Sequence, residues 1–100
     1  MARTVQLRRY HLKPHLVDEF LAWWPALLVP ARAEFGFTVE SAYLDRAAAE
    51  FTWAVSAEGS PEEFGRLEQA WMASPERAVV FEGVTGWNDS AEIALVERLV

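Results

Sequence analysis

The sequence predicts an α+β domain of order β-α-β-β-α-(α)-β, with an antiparallel four-stranded sheet and the helices on one face. Three observations lead to this class. Apolar and polar residues alternate at the start of 4–12 and again in 93–100, as they do in strands. Apolar residues recur at helical spacing through 15–35. Two further strand-like segments, 37–45 and 50–57, flank a short connection and predict a hairpin.

The segment 15–35 is predicted to be helical because its apolar stripe continues from end to end. Acidic residues lie in its first turn, where negative charge suits the helix dipole. Gly36 follows the last apolar residue of the stripe and is suited to a left-handed cap. Pro25 removes a backbone hydrogen bond, so we expect a kink near residues 21–24 and favour it over two separate helices.

The register of the hairpin follows from the length of its loop, because residues paired across two strands share a face. A four-residue loop would place the apolar residues of the third strand on the same face as Glu40. An odd loop or a bulge would place them with Val39 and Tyr43, which gives one apolar face and one polar face. We therefore predict an odd loop or a bulge, which a direct pairing of Asp45 with Glu50 would contradict.

The second half of the chain contains two Ser-Pro-Glu start signals, at Ser60 and Ser74. The first predicts a helix that begins with a capping box. The second predicts a short helix that runs to about Glu82 before a glycine ends it. Residues 84–91 are predicted to be a loop, and 93–100 the last strand.

Alternation along the first strand assigns its side chains to two faces. The face that we expect under the helices holds Val5, Leu7, Arg9 and His11. The opposite, polar face is expected to hold Gln6, Arg8, Tyr10, Thr38, Glu40 and Thr52. The helices would leave that second face open, and an open face in so short a chain favours a partner. This split β-α-β arrangement is that of ferredoxin-like domains.

Composition narrows the classes of partner. The 100 residues suffice for one domain, 1–100. A net charge of −6 without a basic run excludes nucleic acid as an expected partner, and the lack of cysteine excludes disulfides and thiolate metal sites. The apolar stretch 21–31 is too short for a membrane span, and no signal-peptide core is seen, so we expect a cytoplasmic protein. Eight Arg against one Lys, with sixteen Ala, suggest a GC-rich bacterial genome.

Several segments between about residues 5 and 77, taken in order, resemble the NIPSNAP family. The segments are Leu7-Arg8-Arg9-Tyr10 with Leu12-Lys13-Pro14, Asp18-Glu19-Phe20-Leu21, Glu34-Phe35-Gly36-Phe37-Thr38-Val39, Glu50-Phe51-Thr52-Trp53, Ser60-Pro61-Glu62-Glu63-Phe64 and Ala73-Ser74-Pro75-Glu76-Arg77. The chain departs from the family at His15, where the family commonly has glycine.

The resemblance implies a homodimer in which two sheets face each other, a dimeric α+β barrel. Relatives of this fold include cofactor-independent monooxygenases, cyclases, isomerases and haem-degrading enzymes, while most NIPSNAP members have no assigned reaction. A shared fold does not by itself carry a function across. The resemblance therefore leaves open whether the chain is an enzyme.

Three residues are candidates for catalysis: Arg9, His11 and His15. A charge on the apolar face needs a partner, so Arg9 is expected either in an ion pair at the sheet rim, which we favour, or on an anionic substrate. Either histidine is a candidate general base or haem ligand, and the alternative is a histidine at a strand edge and one in a solvated turn. No zinc or iron pattern accompanies them, so we expect no metal.

The candidate ligand-binding residues are the aromatic side chains Tyr43, Trp53, Trp24 and Trp71, which could enclose a flat substrate between helices and sheet. Trp23 is a further candidate for the same pocket. Core packing is the favoured alternative for aromatic residues at helical spacing. Trp87 follows a glycine in the predicted loop, and we expect it at the pocket mouth or at the dimer contact.

Three functions remain open on the sequence. The first is a cofactor-free enzyme acting on a hydrophobic or aromatic metabolite, with Arg9 orienting the substrate and a histidine moving a proton. The second is a non-enzymatic homodimeric binding or interaction protein. The third is haem binding through a histidine.

Overall fold

The computed structural model of the chain describes residues 2–84 and 86–100. Four consecutive helical segments follow strand β1, and the hairpin, two helices and a last strand come after them. The bounds are β1 Arg3–Leu12, a 3₁₀ turn Pro14–Leu16, α1 Val17–Trp23, a π-helical turn Trp24–Leu28, α2 Val29–Phe35, β2 Thr38–Asp45, β3 Glu50–Glu58, α3 Pro61–Met72, α4 Pro75–Val80 and β4 Asn88–Val96.

The four strands form one antiparallel sheet in the order β2-β3-β1-β4. Each helical crossover, from β1 to β2 and from β3 to β4, therefore joins two strands that are not adjacent in the sheet, which is the ferredoxin-like arrangement. The predicted α+β class, the element order and the placement of the helices on one face are confirmed. Among the described helices, none is both long and apolar enough to cross a membrane.

Helices α1 and α2 are joined through the π-helical turn, so the predicted helix is continuous and not two separate helices. Pro25 sits at the start of this turn and has no N–H to donate. The backbone N–H of Val29 donates to the carbonyl of Trp24, five residues back, as in a π turn. Gly36 ends α2 with φ 118°, which confirms the left-handed cap.

The hairpin register differs from the prediction at the turn. Asp45 pairs directly with Glu50 across a four-residue loop, so the odd loop is wrong. A bulge lies instead between Val39 and Ser41, and it brings Val39 opposite Val55. Because the extra residue enters the strand only there, the alternation between the turn and the bulge keeps the even-loop register.

The two faces of β1 are the reverse of the prediction. Arg8 pairs with Trp53 and Tyr10 pairs with Phe51, and these β3 residues are buried under the helices. The even-numbered side chains of β1 therefore face the helices, and three of them, Thr4, Gln6 and Leu12, are buried. The open face holds Val5, Leu7, Arg9 and His11 instead. The physical reason is that β3 supplies the large core side chains, and the pairing register forces its β1 partners onto the same face.

The second half follows its start signals closely. Ser60 caps α3 with the predicted capping box, in which Glu63 N–H donates to Ser60 Oγ at 3.2 Å and Ser60 N–H donates to Glu63 Oε1 at 3.0 Å. Helix α4 is capped by Ser74 and ends at Val80, two residues before the predicted end. Thr85, in the predicted loop 84–91, lies outside the described residues.

The last strand begins five residues before its predicted start and ends at Val96, not at residue 100. Its pairing with β1 accounts for this difference, because Leu12, near the end of β1, pairs with Asn88. Residues 93–100 alternate in polarity, but the pairing with β1 ends at Val96, opposite Val5. Alternation predicts a strand, whereas hydrogen bonding to a neighbouring strand defines where it begins and ends.

Candidate functional site

Arg9 and His11 lie on the open face of the sheet, away from the helices, in a cluster with two glutamates. Arg9 Nε is 3.7 Å from Glu50 Oε1. His11 Nε2 is 2.9 Å from Glu92 Oε1, and its Nδ1 is 3.6 Å from Glu50 Oε2. The hydrogen bond with His11 lowers the pKa of the Glu92 carboxyl below its usual value. Arg9 thus makes a surface ion pair, which is the alternative that we favoured from the sequence, and its partner is Glu50.

His15 lies exposed in the 3₁₀ turn that follows β1. The structure does not place it beside His11, whose partners are the two glutamates across the sheet. Within residues 2–84 and 86–100, no group of three or more His, Asp or Glu side chains is arranged to hold a metal ion.

Tyr43 lies on the open face and pairs with Thr52, so the aromatic ring does not join Trp53. Its exposed fraction is 72%. The sequence prediction placed it under the helices because an odd loop or a bulge was expected to put it on the face of Trp53. The loop has four residues and the bulge lies farther from the turn than Tyr43, so Ala42 takes the helix-facing position opposite Trp53.

Trp24, Trp53 and Trp71 are buried in the core, as the favoured alternative expects. Trp24 packs edge-on against Trp53, with the ring centroids 5.3 Å apart. Trp53 and Trp71 flank the guanidinium of Arg32, which lies 5.6 Å and 5.1 Å from their ring centroids. These three indoles therefore build the centre of the molecule and surround a buried cation.

A cavity of about 190 Å³ lies between the helices and the sheet, at the end of the sheet where β4 begins. Its walls combine aromatic rings with two arginines and two neutral polar groups. The lining residues are Arg8, Tyr10, Phe20, Trp23, Leu28, Arg77, Phe81, Trp87, Asn88 and Ala91. The seven candidate site residues from the sequence are all elsewhere, while Trp87 lines the cavity, in keeping with its predicted place at a pocket.

Each wall of the cavity has a local origin in the sequence. The alternation of β1 presents Arg8 and Tyr10 to it. The π-helical turn begins directly after Trp23 and ends with Leu28, and both side chains reach the cavity. Such turns are frequent at functional sites. Helix α4 contributes Arg77, and the turn after it contributes Phe81.

The aromatic wall is held together by edge-to-face and tilted contacts. The ring centroid of Trp23 is 5.0 Å from that of Phe81 and 5.4 Å from that of Trp87. Trp23 Nε1 donates to the carbonyl of Val80 at 3.0 Å, which fixes the indole plane. Trp87 Nε1 is buried and has no hydrogen-bond partner among the residues that the structure describes. An acceptor on a ligand could satisfy this donor.

A polar network connects the cavity to the core. Arg8 Nε donates to Tyr10 Oη at 2.9 Å, and Arg8 Nη1 donates to Gln6 Oε1 at 2.6 Å. The same Nη1 is 3.7 Å from Glu68 Oε2. Glu68 also holds Arg32, with Nη1 donating to Oε2 at 3.2 Å and Nη2 lying 3.1 Å from Oε1. One carboxylate is therefore shared between two guanidinium groups.

The Arg32 guanidinium is almost completely enclosed, with 3% of the side chain exposed. Burial lowers its pKa below the usual value, and the neighbouring Glu68 carboxylate opposes that effect. An arginine stays charged even so, because its pKa begins far above neutral. The buried pair is a fixed electrostatic element beneath the cavity floor.

A larger depression, of about 660 Å³, lies between the start of β1 and the end of the chain. It is lined by residues 2–5, Gly59, Pro61 and 95–99. Its walls carry no aromatic ring and it is a wide groove, so it encloses a ligand poorly. The smaller cavity meets the description of a ligand site better, because apolar walls converge there with a few polar groups.

The fold and the cavity define a ferredoxin-like α+β protein with a small aromatic pocket between helices and sheet. A NIPSNAP domain protein from Burkholderia xenovorans has the same fold, with a TM-score of 0.80 and 11% identity over 96% of this chain and 94% of its own. A NIPSNAP family protein from Agrobacterium tumefaciens gives a TM-score of 0.82 and 10% identity over 98% and 94% of the two chains. The resemblance to NIPSNAP proteins is thus confirmed at the level of fold.

A structure from Bacteroides thetaiotaomicron, provisionally named an antibiotic biosynthesis monooxygenase, gives a TM-score of 0.71 and 19% identity over 98% of this chain and 90% of its own. The sequence matches no protein-family model and no curated protein sequence.

Arg8 and Tyr10 line the cavity but were not selected from the sequence, because the face of β1 was reversed, whereas Trp23 and Trp87 were among the pocket residues that the sequence offered. A signal was present in Leu12, which shares its parity with Arg8 and Tyr10 and is buried. The polar neighbours Thr4 and Gln6 hid that signal. The contact between Trp23 and Phe81 could not be predicted from the sequence, because these residues are far apart in the chain and only folding brings the end of α4 against α1.

Proposed function

We propose that this protein binds a small aromatic or hydrophobic metabolite in the cavity between its helices and its sheet. The main observation behind this proposal is the cavity itself, which is lined both by the rings of Trp23, Phe81 and Trp87 and by the polar groups of Arg8 and Tyr10. An engineered cavity of roughly 150 Å³ in another protein holds benzene, so about 190 Å³ suits one substituted aromatic ring.

The polar groups in the cavity support proton-transfer chemistry without a cofactor, of the isomerase or cyclase class. Arg8 donates to Tyr10 Oη, so the hydroxyl keeps its own hydrogen to donate to an oxygen atom of the ligand. The guanidinium would stabilise the phenolate that remains when Tyr10 gives up the proton. A later return of a proton from the ligand to Tyr10 Oη would restore the starting state.

Cofactor-free oxygenation of the same ligand is the second candidate reaction. It is supported by the name of the similar structure from Bacteroides thetaiotaomicron. The cavity would serve both reactions in the same way, by enclosing the ring and by placing a tyrosine hydroxyl beside it. Conversion of a bound ligand with and without dioxygen separates the two.

We further propose that the protein acts as a homodimer through the open face of its sheet. An apolar strip on that face, consisting of Val5, Leu7, Ala54, Ala94 and Val96, is flanked by charged groups. Glu40 lies beside it, accepts from Ser56 Oγ at 2.5 Å and pairs with Arg98 at 3.2 Å. Burial of the strip against a second copy would remove apolar surface from water.

Indole resonances in a proton–nitrogen NMR spectrum test the binding proposal. We expect single-ring aromatic compounds to shift the Nε1–H resonances of Trp23 and Trp87, which line the cavity. Trp71 provides an internal control, because it is buried on the other side of the core. Shifts that spare Trp23 and Trp87, or an absence of shifts at millimolar ligand, would contradict the proposal.

The Tyr10→Phe variant tests the proposed chemistry once a ligand is found. We expect the variant to bind the ligand with similar affinity, because the ring remains, and to lose its conversion, because the hydroxyl is gone. Unchanged turnover in Tyr10→Phe would exclude proton transfer at Tyr10. Binding without turnover in the wild-type protein would support a non-enzymatic binding protein instead.

A further inference from the structure

The charges around the cavity do not balance. Three guanidinium groups lie at or beneath its walls, those of Arg8, Arg32 and Arg77. Within the described residues, Glu68 is the one carboxylate that contacts any of them. The whole chain is acidic, with a net charge of −6, so this local excess of positive charge runs against the overall composition.

Arg8 is only partly neutralised. Glu68 binds Arg32 through both carboxylate oxygens at 3.1–3.2 Å, whereas its distance to Arg8 is 3.7 Å. The remaining bonds of Arg8 go to neutral groups, Tyr10 Oη and Gln6 Oε1. Its Nη2 has no hydrogen-bond partner within residues 2–84 and 86–100. A guanidinium with 14% of its side chain exposed is thus left with free donors at the cavity wall.

Arg77 is the second cation at the wall, and its environment is different. Its guanidinium lies over the ring of Phe81, 4.2 Å from the centroid, and stacking of this kind holds it in place. In the described part of the chain, its side chain has no carboxylate partner and no hydrogen bond. Stacking restricts the side chain without neutralising the charge, so all five of its donors remain available to a ligand.

An anion is the group that completes such an arrangement. Guanidinium groups bind carboxylates with paired, charge-assisted hydrogen bonds, which are stronger than those between neutral partners. A partly enclosed site strengthens the attraction further, because little water screens it. The same cavity offers aromatic walls at Trp23 and Trp87.

We propose that the ligand is an aromatic carboxylate, whose anionic group binds Arg8 and Arg77 while its ring packs against the aromatic wall that Trp23 and Trp87 form together. This inference rests on the proposed function, since it names the chemical class that the same cavity takes. The volume of about 190 Å³ limits the ligand to a single ring with small substituents. A neutral ring of the same size would leave the two cations without a partner.

Benzoate and benzamide test the inference, because they have nearly the same size and differ in charge. Titration calorimetry or the indole NMR shifts would give the two affinities at neutral pH and low salt. We expect benzoate to bind about tenfold or more tightly than benzamide, as a charge-assisted pair would give. We expect Arg77→Met to lower the affinity for benzoate severalfold, leaving only the part of the preference that Arg8 supplies, and to leave benzamide unaffected.

Two further variants keep the test specific. Arg77→Lys retains the charge as a point charge, and we expect it to keep part of the preference for benzoate. Arg66→Met removes an exposed arginine from α3 and changes the net charge equally, so we expect the full preference to remain. A loss of preference in Arg66→Met would mean that overall charge is responsible and would overturn the inference.

The outcomes separate the inference from the proposed function. Equal affinity for the two compounds, with shifts at Trp23 and Trp87, would overturn the anion inference and keep the binding proposal. A benzoate preference that is undiminished in Arg77→Met would overturn the assignment of the anion site. A failure of both compounds to shift either indole at millimolar concentration would overturn both proposals.

Discussion

Single residues on β1 decide where chemistry can occur in this molecule. Arg8 and Arg9 are adjacent and chemically identical, yet one lies at a cavity wall and the other on the open face beside Glu50. The alternation of a strand accounts for the difference. The cation on the helix side is costly to bury, and Glu68 is the group that holds it and Arg32 in place.

Glu68→Gln tests this role of the carboxylate. The substitution leaves Arg32 buried without a counter-charge, and we expect the free energy of unfolding to fall by about 2–3 kcal/mol, below the full cost of breaking a buried pair because Glu68 is 17% exposed. Urea denaturation followed by tryptophan fluorescence gives the value. The control is Glu34→Gln, an exposed glutamate on α2, for which we expect a change within about 0.5 kcal/mol.

Elements in this chain begin and end at residues with specific backbone roles. Gly36 allows α2 to turn into β2 at φ 118°, and the π-helical turn after Trp23 lets one helix continue past Pro25. The same turn sends Trp24 into the core and Trp23 to the cavity. Ser60 and Ser74 fix the starts of α3 and α4.

Two glycine substitutions separate backbone strain from helix propensity. Gly36→Ala places a side chain at a positive φ, and we expect a loss of about 1–2 kcal/mol although a Cβ would have room there. Gly65→Ala lies inside α3 with open space around its Cβ, and we expect a gain of about 0.5–1 kcal/mol. Thermal and urea unfolding measure the change in the free energy of unfolding, which we expect to have opposite signs in the two variants. A change of the same sign in both would contradict the argument.

Ser60→Ala tests the capping box of α3. We expect a loss of about 1 kcal/mol at neutral pH, because the Glu63 N–H loses its acceptor, Ser60 Oγ, while the backbone N–H of residue 60 can still donate to the Glu63 carboxylate. The hydrogen bond from the Ser60 backbone, followed by that from its side chain, lowers the pKa of the Glu63 carboxyl below its ordinary value. NMR titration should therefore show the pKa of Glu63 rising in the variant.

The sign of the pH dependence follows from the same box. A depressed carboxyl pKa stabilises the fold above the ordinary value of 4.5, and the contribution is lost as pH falls through the lower, folded value. We therefore expect the difference between wild type and Ser60→Ala to shrink below pH 4.5. A difference that grows in acid would contradict this account.

At the scale of the whole molecule, the sheet has one face covered by helices and one face uncovered. Leu7 and Val96 belong to the apolar strip of the uncovered face. Ile93 and Leu95, on the other side of the edge strand β4, are also about half exposed. Exposed apolar residues on the open face and along both sides of the edge strand favour an interface over a solvated surface.

Leu7→Glu tests the proposed dimer. We expect the wild-type chain to sediment as a dimer at micromolar concentration and the variant to sediment as a monomer, because a carboxylate in the apolar strip would be buried without a partner. Val79→Glu, at an exposed position of α4, introduces the same charge outside the strip and should leave the dimer intact. A wild-type monomer would contradict the proposal.

The sequence by itself determined the element order and most of the element starts. Proline, glycine and serine act on their own backbone, so Gly36, Ser60 and Ser74 could be interpreted without knowledge of distant residues. The core indoles could be anticipated in the same way, because a large apolar side chain at helical or strand spacing is buried by default. The resemblance to NIPSNAP proteins added the expected fold.

Only the tertiary structure decided which face of β1 lies under the helices, and with it the site. Because Tyr10 pairs with Phe51 and Arg8 pairs with Trp53, all four side chains lie on the same face of the sheet. A shift of the register by one residue would move every side chain of β1 to the opposite face. The four-residue loop of the hairpin likewise placed Tyr43 in the open, because the bulge at Glu40 lies farther from the turn. Local sequence could not fix these choices, because pairing between distant segments sets the register, and the cavity exists only where α1, α4 and the sheet meet.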